Sequence, residues 1–428
     1  MPFVNFSRLT VAAWSVFGPE LIVLRTYRAH AWTASGSPGP PCLHVHYLQE
    51  RGLLQFFLED DRTLFEDSFR FAQHQVRELI HKYPDFYPMY TQNGRWKHDG
   101  PAWTNWCDGF LPGMMWIFER RAVAENGGGA TPWREQAIHY SKPIEPRKHD
   151  KDIHDLGFLF LSTYHRWYKI AKDPALHDVL IEAGRTMAQR FQEKGGYLRS
   201  FISADSLFID IMMNVGIVFY AARETNDRKL REIAIRHCLT TRRFLVRGDG
   251  STAHEGIFDT QTGEFLRQST QQGFRSDSCW SRGLAWAMYG FTVAYEYTRD
   301  PRFLQTAEAC AAYFIANTHP DGIPPWDFNA PANNRQLLDT SAAAIAAAAM
   351  LRLRSATTDR GRSHFYWSSA ALIVRTLCEK YLARKDKKWE GILKGGVYHI
   401  HKELGVDESV MWGEYFFVEA LEEVLRQI

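Results

Sequence analysis

Apolar residues recur with helical spacing along most of the chain. From Leu53 onward they return every three or four residues over stretches long enough for helices, as in amphipathic helices. The first part of the chain differs, because Ser35-Gly-Ser-Pro-Gly-Pro-Pro41 contains several residues that break regular structure. We therefore predict an N-terminal arm over residues 1–52 and one mostly helical domain over residues 53–428.

A loose internal repeat runs through this domain. Each copy begins with a polar or acidic residue and continues into apolar and aromatic residues. The copies are Trp106–Trp116, His154–Phe160, Ile209–Asn214, Trp280–Trp286, Asp339–Ile345 and Met411–Phe417. Several copies are followed by a turn that contains Asp and then by a more amphipathic helix; these turns are Lys172–Pro174, Thr225–Asp227 and Thr298–Pro301.

Six copies of this kind predict six helical hairpins. The closed arrangement that buries six apolar inner helices within six amphipathic outer ones is an all-α (α/α)6 barrel. An open α-solenoid is the alternative, but it would show a tighter period and a polar capping repeat. The turn Asp259-Thr-Gln-Thr-Gly263 predicts a small β-hairpin among the loops.

Composition excludes several classes of protein. The 51 basic and 49 acidic residues give a formal net charge of only +2, which argues against a nucleic-acid partner. No apolar run approaches the roughly 20 residues of a membrane span, so we expect no membrane partner. The 6 cysteines form no CxxC pair, which argues against a disulfide scaffold and a thiolate zinc site. His399-Ile-His401 is a weak metal signal that strand alternation also explains, and we expect no metal and no cofactor.

The location of the protein follows from the same features. Reduced thiols are typical of a cytoplasmic protein. The apolar stretch Leu9–Gly18 has the length of a short signal sequence, but Pro19-Glu20 interrupts it and few basic residues precede it. We predict a cytoplasmic protein, with secretion as the alternative.

In the barrel, the repeat places the starts of the inner helices at one rim. These starts carry Asp108, Asp155, Asp210, Arg282, Asp339 and Glu414. Acids at this rim, together with Trp106, Trp280, Trp286 and Trp412, are typical of a sugar-binding cleft.

Two of these acids are the strongest candidates for chemistry. Asp210 lies in Leu207-Phe-Ile-Asp-Ile-Met-Met213, with apolar residues on both sides. Loss of water there would raise the pKa of its carboxyl group toward the range of a general acid and base. Paired carboxylates, such as Asp210 and Asp155, are also typical of glycoside hydrolysis. The alternative is that both residues are helix N-caps, a position that Asp favours.

Other candidates each have two interpretations. Asp108 is a helix cap or a contact for sugar hydroxyls, and His254 is an ordinary loop residue or part of a site. Arg282 and Trp286 lie four residues apart on one helix face. They are either a carboxylate-binding arginine beside a stacking platform or a rim arginine above a packed tryptophan.

Several segments together are similar to one known family. They are His154-Asp-Leu-Gly-Phe158, Ile209-Asp210 with Asn214, Arg242–Asp249 with His254, Trp280–Phe291, Trp326-Asp-Phe328, Asp339-Thr-Ser-Ala-Ala343, Gly396-Val-Tyr-His399 and Trp412–Phe417. Their order and spacing resemble the unsaturated glucuronyl hydrolases, glycoside hydrolase family 88, over roughly residues 60–428.

The resemblance implies an (α/α)6 barrel and a specific reaction. Such enzymes remove a 4,5-unsaturated uronic acid from the non-reducing end of oligosaccharides that polysaccharide lyases produce. They first hydrate the C4=C5 vinyl ether. Asp210 matches the general acid and base, and Asp155 matches the second acid, which orients the unsaturated ring. Residues that match contacts to the ring and its carboxylate are Trp106, His254, Gln272, Arg282 and Trp286.

This chain also departs from the family pattern. It has Gln271-Gln272 where relatives often carry His-Gln, and Lys394–Lys402 lacks the Ser-rich segment that reads sulfate in some relatives. The expected partner is an unsaturated oligosaccharide, bound by a monomer or weak dimer. Three alternatives are an unsaturated rhamnogalacturonyl hydrolase, a catalytically silent carbohydrate-binding barrel and a hydrolase of saturated glycosides.

Overall fold

A computed structural model describes residues 51–99, 105–125, 127, 129, 131–333 and 336–428, with side chains from residue 61 onward. The predicted arm, apart from residues 51–52, and the signal-like stretch lie outside these residues. The boundary between arm and barrel therefore stays a prediction.

Fourteen α-helices follow one another along the described chain. They are α1 (Arg51–Lys82), α2 (Phe110–Glu125), α3 (Pro132–Ser141), α4 (Leu156–Ser162), α5 (Tyr164–Ala171), α6 (Pro174–Ala188), α7 (Ile211–Asn214), α8 (Gly216–Thr225), α9 (Arg228–Phe244), α10 (Ser281–Thr298), α11 (Pro301–Asn317), α12 (Thr340–Ala356), α13 (Arg360–Thr376) and α14 (Met411–Leu425). Short 3-10 turns span Lys142–His149, Ala383–Lys385 and Ile400–Lys402, and a π turn spans Leu377–Tyr381.

The inner helices form a closed ring. Helix α2 packs against α4, α4 against α7 and α8, both of these against α10, α10 against α12, α12 against α14, and α14 against α2. Outer helices α3, α6, α9, α11, α13 and α1 cover this ring. The contact between α14 and α2 closes the circle, so the predicted (α/α)6 barrel is confirmed and the open solenoid is wrong.

The hairpin turns explain why each outer helix starts where it does. Three inner segments end on a residue with positive φ, at Lys172, Asn226 and Arg299. The next residue is an Asp whose side chain accepts a hydrogen bond from the first turn of the outer helix, at Asp173, Asp227 and Asp300. Such caps satisfy backbone N–H groups that otherwise lack partners. The turns predicted from sequence thus end one helix and begin the next.

Short antiparallel sheets fill the loops between helices. The pairs are β1 (Thr91–Gln92) with β2 (Arg95–Trp96), β3 (Phe191–Gln192) with β4 (Tyr197–Leu198), and β8 (Gly396–His399) with β9 (Leu404–Glu408); the three-stranded sheet has β5 (Ser206–Phe208), β6 (Glu255–Phe258) and β7 (Phe265–Ser269) in that order. The predicted hairpin is confirmed as β6 and β7. The alternation expected through His399 and His401 ends at His399, because a 3-10 turn follows.

The core lies where inner and outer helices meet. Helix α12 has buried alanines from Ala342 to Ala349, which lets its neighbours approach closely. The cysteines in the described part are free and buried, at Cys107, Cys238, Cys279, Cys310 and Cys378. Over the same residues, no helix has the length and hydropathy to cross a membrane.

Candidate active site

The starts of the inner helices carry the predicted acids. Asp155 immediately precedes α4 and Asp210 immediately precedes α7, and neither side chain caps its helix. Asp339, at the start of α12, does cap its helix, since its carboxylate accepts a hydrogen bond of 3.0 Å from the backbone N–H of Ser341. The N-cap interpretation is therefore wrong for the side chains of Asp155 and Asp210.

The first turn of α4 approaches the end of the single-turn helix α7 closely, which holds Asp155 and Asp210 on neighbouring elements. The backbone N–H of Phe158 donates a 2.7 Å hydrogen bond to Oδ1 of Asn214. A Cβ atom on Gly157 would lie only 2.4 Å from Cα of Asn214, so this position requires glycine. The first turn of α4 is thus pressed directly against α7.

Burial dominates the electrostatics of Asp210. Its Oδ2 atom is buried and has no hydrogen-bond partner among the described residues, although Nε2 of His254 lies 3.5 Å away. Removal from water raises the pKa of Asp210 to about 6, against the opposing effect of the Arg282 positive charge. The carboxyl group can therefore hold or release a proton near neutral pH.

The tautomer of His254 follows from its hydrogen bonds. Its Nδ1 atom accepts backbone N–H groups from Gln271 at 3.0 Å and Gln272 at 3.3 Å. Burial lowers the pKa of His254 to about 3, so the ring is neutral. Because Nδ1 is an acceptor, the single proton resides on Nε2, the nitrogen that faces Asp210.

Arg282 lies in the floor of the site. Its guanidinium group donates to the backbone carbonyls of Val397 and Tyr398 and, at 2.5 Å, to Oε1 of Gln272. It also lies 3.6 Å from Asp339. Its two ring partners are Trp280 at 4.4 Å and Trp412 at 4.9 Å. Buried donors of this kind fix the loop that carries Tyr398 and orient the Gln272 side chain.

Trp286 lies deeper than its predicted place beside Arg282. It is completely buried and packs against Phe158 and Phe416. Residues four apart share a helix face, but the later one lies a turn further along the axis. In α10 the next turn lies inside the barrel. Trp286 therefore packs against Phe158 from the barrel interior and does not stack on Arg282.

An aromatic wall stands at the rim. Trp106 is half-buried, with its ring 4.8 Å from that of Trp412 and 5.3 Å from that of Phe158. Tyr398 also lies against Trp412, with ring centres 4.9 Å apart. Such a wall fits the apolar face of a pyranose ring.

Asp108 is near this wall but has a partner of its own. Its carboxylate lies 3.4 Å from Nη1 of Arg147, and burial raises the pKa of Asp108 to about 7. Of the two predicted interpretations, a polar group beside the cleft fits this position better than a helix cap, because α2 starts two residues later at Phe110.

Sequence reasoning missed three residues of the site. His154 lies 3.4 Å from Asp155, Tyr398 forms part of the wall, and Asn214 joins α7 to α4. All three occur within the segments that resembled the family, but their contacts depend on the fold. Over the described residues, no cluster of three or more His, Cys, Asp or Glu side chains could hold a metal ion.

The fold and the site together define a carbohydrate-active barrel, with two acids and an aromatic wall at one end. The family model named Glycosyl Hydrolase Family 88 matches residues 72–352. The chain belongs to this family, as the sequence predicted, and is a glycosidase.

Curated relatives and solved structures agree. An unsaturated glucuronyl hydrolase of Bacillus sp. (strain GL1) is 30% identical over 361 residues, covering 82% of this chain and 93% of that protein. An unsaturated chondroitin disaccharide hydrolase of Streptococcus pyogenes serotype M1 is 30% identical over 325 residues, covering 74% and 80%. The crystal structure of an unsaturated glucuronyl hydrolase specific for heparin has a TM-score of 0.77 at 28% identity, covering 86% of this chain and 98% of that one.

Proposed function

We propose that this glycosidase removes a 4,5-unsaturated uronic acid from the non-reducing end of lyase-generated oligosaccharides, with Asp210 as the general acid and base. The release of an unsaturated glucuronyl residue is the activity of the family. The observation that carries the assignment is the asymmetry of the Asp210 carboxyl group. Oδ2 is buried against the Nε2–H of neutral His254, so Oδ1 is left to carry and transfer the proton.

The first step adds a proton to the substrate. Protonated Asp210 gives its proton from Oδ1 to C4 of the vinyl ether, and the C4=C5 π electrons form the new C–H bond. Positive charge then develops at C5 and on the ring oxygen. A carboxyl group with a pKa of about 6 suits this task, because it is partly protonated near neutral pH and forms a carboxylate as the positive charge appears.

The second step adds water and releases the sugar. The Asp210 carboxylate accepts a proton from a water molecule as the water oxygen bonds to C5. The product is a hemiketal, which opens when the bond between C5 and the ring oxygen breaks, leaving a ketone at C5. The hemiacetal thus formed at C1 then expels the remaining saccharide as an alcohol and becomes an aldehyde. Water is consumed and no redox partner is needed.

The remaining groups would bind and orient the unsaturated ring. Asp155 faces the same rim from the adjacent helix α4, where it can accept hydrogen bonds from ring hydroxyls. Trp106 supplies a half-buried face on which the ring can stack. The Gln272 amide, which Arg282 holds by its oxygen, presents its nitrogen as a donor for the substrate carboxylate.

Substrate comparison tests the reaction. We expect the ultraviolet absorbance of the double bond to fall with unsaturated disaccharides from chondroitin, hyaluronan, heparin or rhamnogalacturonan. The relative rates then show which of these substrates the enzyme prefers. In water enriched in 18O, the label should appear at C5 of the product, and p-nitrophenyl glucuronide should stay intact. Cleavage of that saturated glucuronide would contradict hydration, as would constant absorbance with every unsaturated substrate.

We also propose that the enzyme works in the cytoplasm. The five free, buried cysteines of the described part are typical of a reducing compartment. Fractionation of the source cells should recover the activity with cytoplasmic markers. Recovery in the culture medium would overturn the proposal.

We propose a monomer or weak dimer in solution. Among the described large apolar side chains, those that are exposed are few, namely Ile202, Leu266, Phe365 and Leu372. An obligate dimer would need a larger apolar surface. Sedimentation velocity should show a monomer at micromolar concentration, and a concentration-independent dimer would contradict this.

A further inference from the structure

Three buried histidines near the site share one hydrogen-bond pattern. His254, His154 and His237 each accept a backbone N–H on Nδ1, from Gln271 at 3.0 Å, Phe201 at 3.0 Å and Leu198 at 3.1 Å respectively. In each ring the proton therefore resides on Nε2. The three residues differ in the group that Nε2 faces.

Two of them face an acid of the site. Nε2 of His254 lies 3.5 Å from Oδ2 of Asp210, and Nε2 of His154 lies 3.4 Å from Oδ1 of Asp155. Among the described residues, Nε2 of His237 has no carboxylate within 4 Å, whereas Nε2 of His254, which likewise makes no hydrogen bond there, has Asp210 beside it. The first two pairs thus repeat one arrangement around the two carboxylates.

We propose that His154 is a positioning residue, which fixes the orientation of Asp155 by donating its Nε2–H to Oδ1; the Nε2–H of His254 faces Asp210 in the same way. This inference rests on the proposed function, because it assigns a supporting group to one of its acids. A neutral imidazole donor would hold one oxygen of Asp155 and direct the other toward the substrate.

The surroundings of His154 keep it fixed and neutral. Its ring packs against Phe201 and Phe208, and burial lowers its pKa well below the usual value, with further lowering by Arg190, His254 and His237. Arg190 donates to three backbone carbonyls, those of Lys151, Arg199 and Ser200. These lie on both segments that hold the ring, so neither can shift easily.

Four variants separate positioning from simple structural support. Asn places an acceptor near the position of Nδ1, whereas Gln can place a donor near the position of Nε2. We expect His154→Asn to lower kcat by about tenfold to a hundredfold with little change in KM, and His154→Gln to stay within about threefold of wild type. The matched controls are His237→Asn and His237→Gln, and both should keep kcat within about threefold, whatever their effect on stability.

The outcomes are distinct. Equal kcat values for His154→Asn and His237→Asn, measured on folded protein, would overturn the proposal, as would equal loss in both His154 variants. If the His154 variants fail to fold, 15N NMR of the wild type decides, because a proton on Nδ1 of His154 contradicts the donor role. An inactive wild type would instead refute the proposed function, while the NMR result would still test the hydrogen bond.

Discussion

Replacing Gly157 with alanine would press the start of α4 away from the end of the single-turn helix α7. The added Cβ would lie 2.4 Å from Cα and 2.8 Å from the carbonyl oxygen of Asn214. Unstrained carbon atoms approach to about 3.5–4.0 Å, so the start of α4 must move by roughly 1 Å relative to α7. Asp155 immediately precedes α4, and Asp210 lies one turn before Asn214, so that movement changes the distance between the two acids.

The effects of Gly157→Ala on stability and activity should differ greatly. Overpacking destabilises a core by about 1–3 kcal/mol, but alanine gains about 1 kcal/mol over glycine within a helix. The net loss is therefore about 0–2 kcal/mol in the free energy of unfolding. A displacement of roughly 1 Å at reacting groups can lower the rate by about a hundredfold. We expect kcat/KM to fall by about that factor in a folded protein.

A second glycine provides the control. A Cβ on Gly184 of α6 would lie 2.4 Å from the carbonyl oxygen of Ile217, so Gly184→Ala meets a similar clash away from either acid. Denaturant unfolding and the absorbance assay on both variants should show similar stability losses, but a large activity loss only for Gly157→Ala. If Gly157→Ala keeps kcat/KM within about threefold of wild type, the close approach does not position the acids.

Three further predictions concern the charged side chains of the site. Since burial raises the pKa of Asp210 to about 6, the protonated acid disappears above that pH and kcat/KM should fall by about tenfold per pH unit; a flat alkaline limb would contradict the assignment. The raised pKa also means that folding loses stability as the pH rises through 6, so Asp210→Asn should be more stable than wild type at alkaline pH. Arg282→Lys should lower the free energy of unfolding by about 2–4 kcal/mol, because the carbonyls of Val397 and Tyr398 lose donors inside the core. Arg302→Lys, at an exposed ion pair, is the control, and equal unfolding midpoints for the two variants would refute this.

Rules that depend only on neighbouring residues predicted where several helices begin. Asp after a turn residue caps a helix for reasons that need no distant partner, so Asp173, Asp227 and Asp300 could be placed from sequence. The apolar setting of Asp210 likewise pointed to a raised pKa, as the structure has it. Both inferences depend on neighbours within a few residues.

Contacts between distant segments could not be predicted in this way. Arg282 donates to the carbonyls of Val397 and Tyr398, more than a hundred residues later, and nothing in its own helix indicates this. Helical spacing placed Trp286 on the correct face, but it gives no depth along the barrel axis. The need for glycine at Gly157 depends on a neighbour from another hairpin.

The most direct test of the account is the absorbance assay on Asp210→Asn, together with its affinity for an unsaturated disaccharide by calorimetry. The amide keeps the shape of the side chain but cannot donate a proton to C4 or take one from water. We predict a kcat lowered by about a thousandfold or more, with Kd changed by less than about threefold. A variant that still consumes the double bond within about tenfold of the wild-type rate would show that another group protonates the substrate, and the central assignment would be wrong.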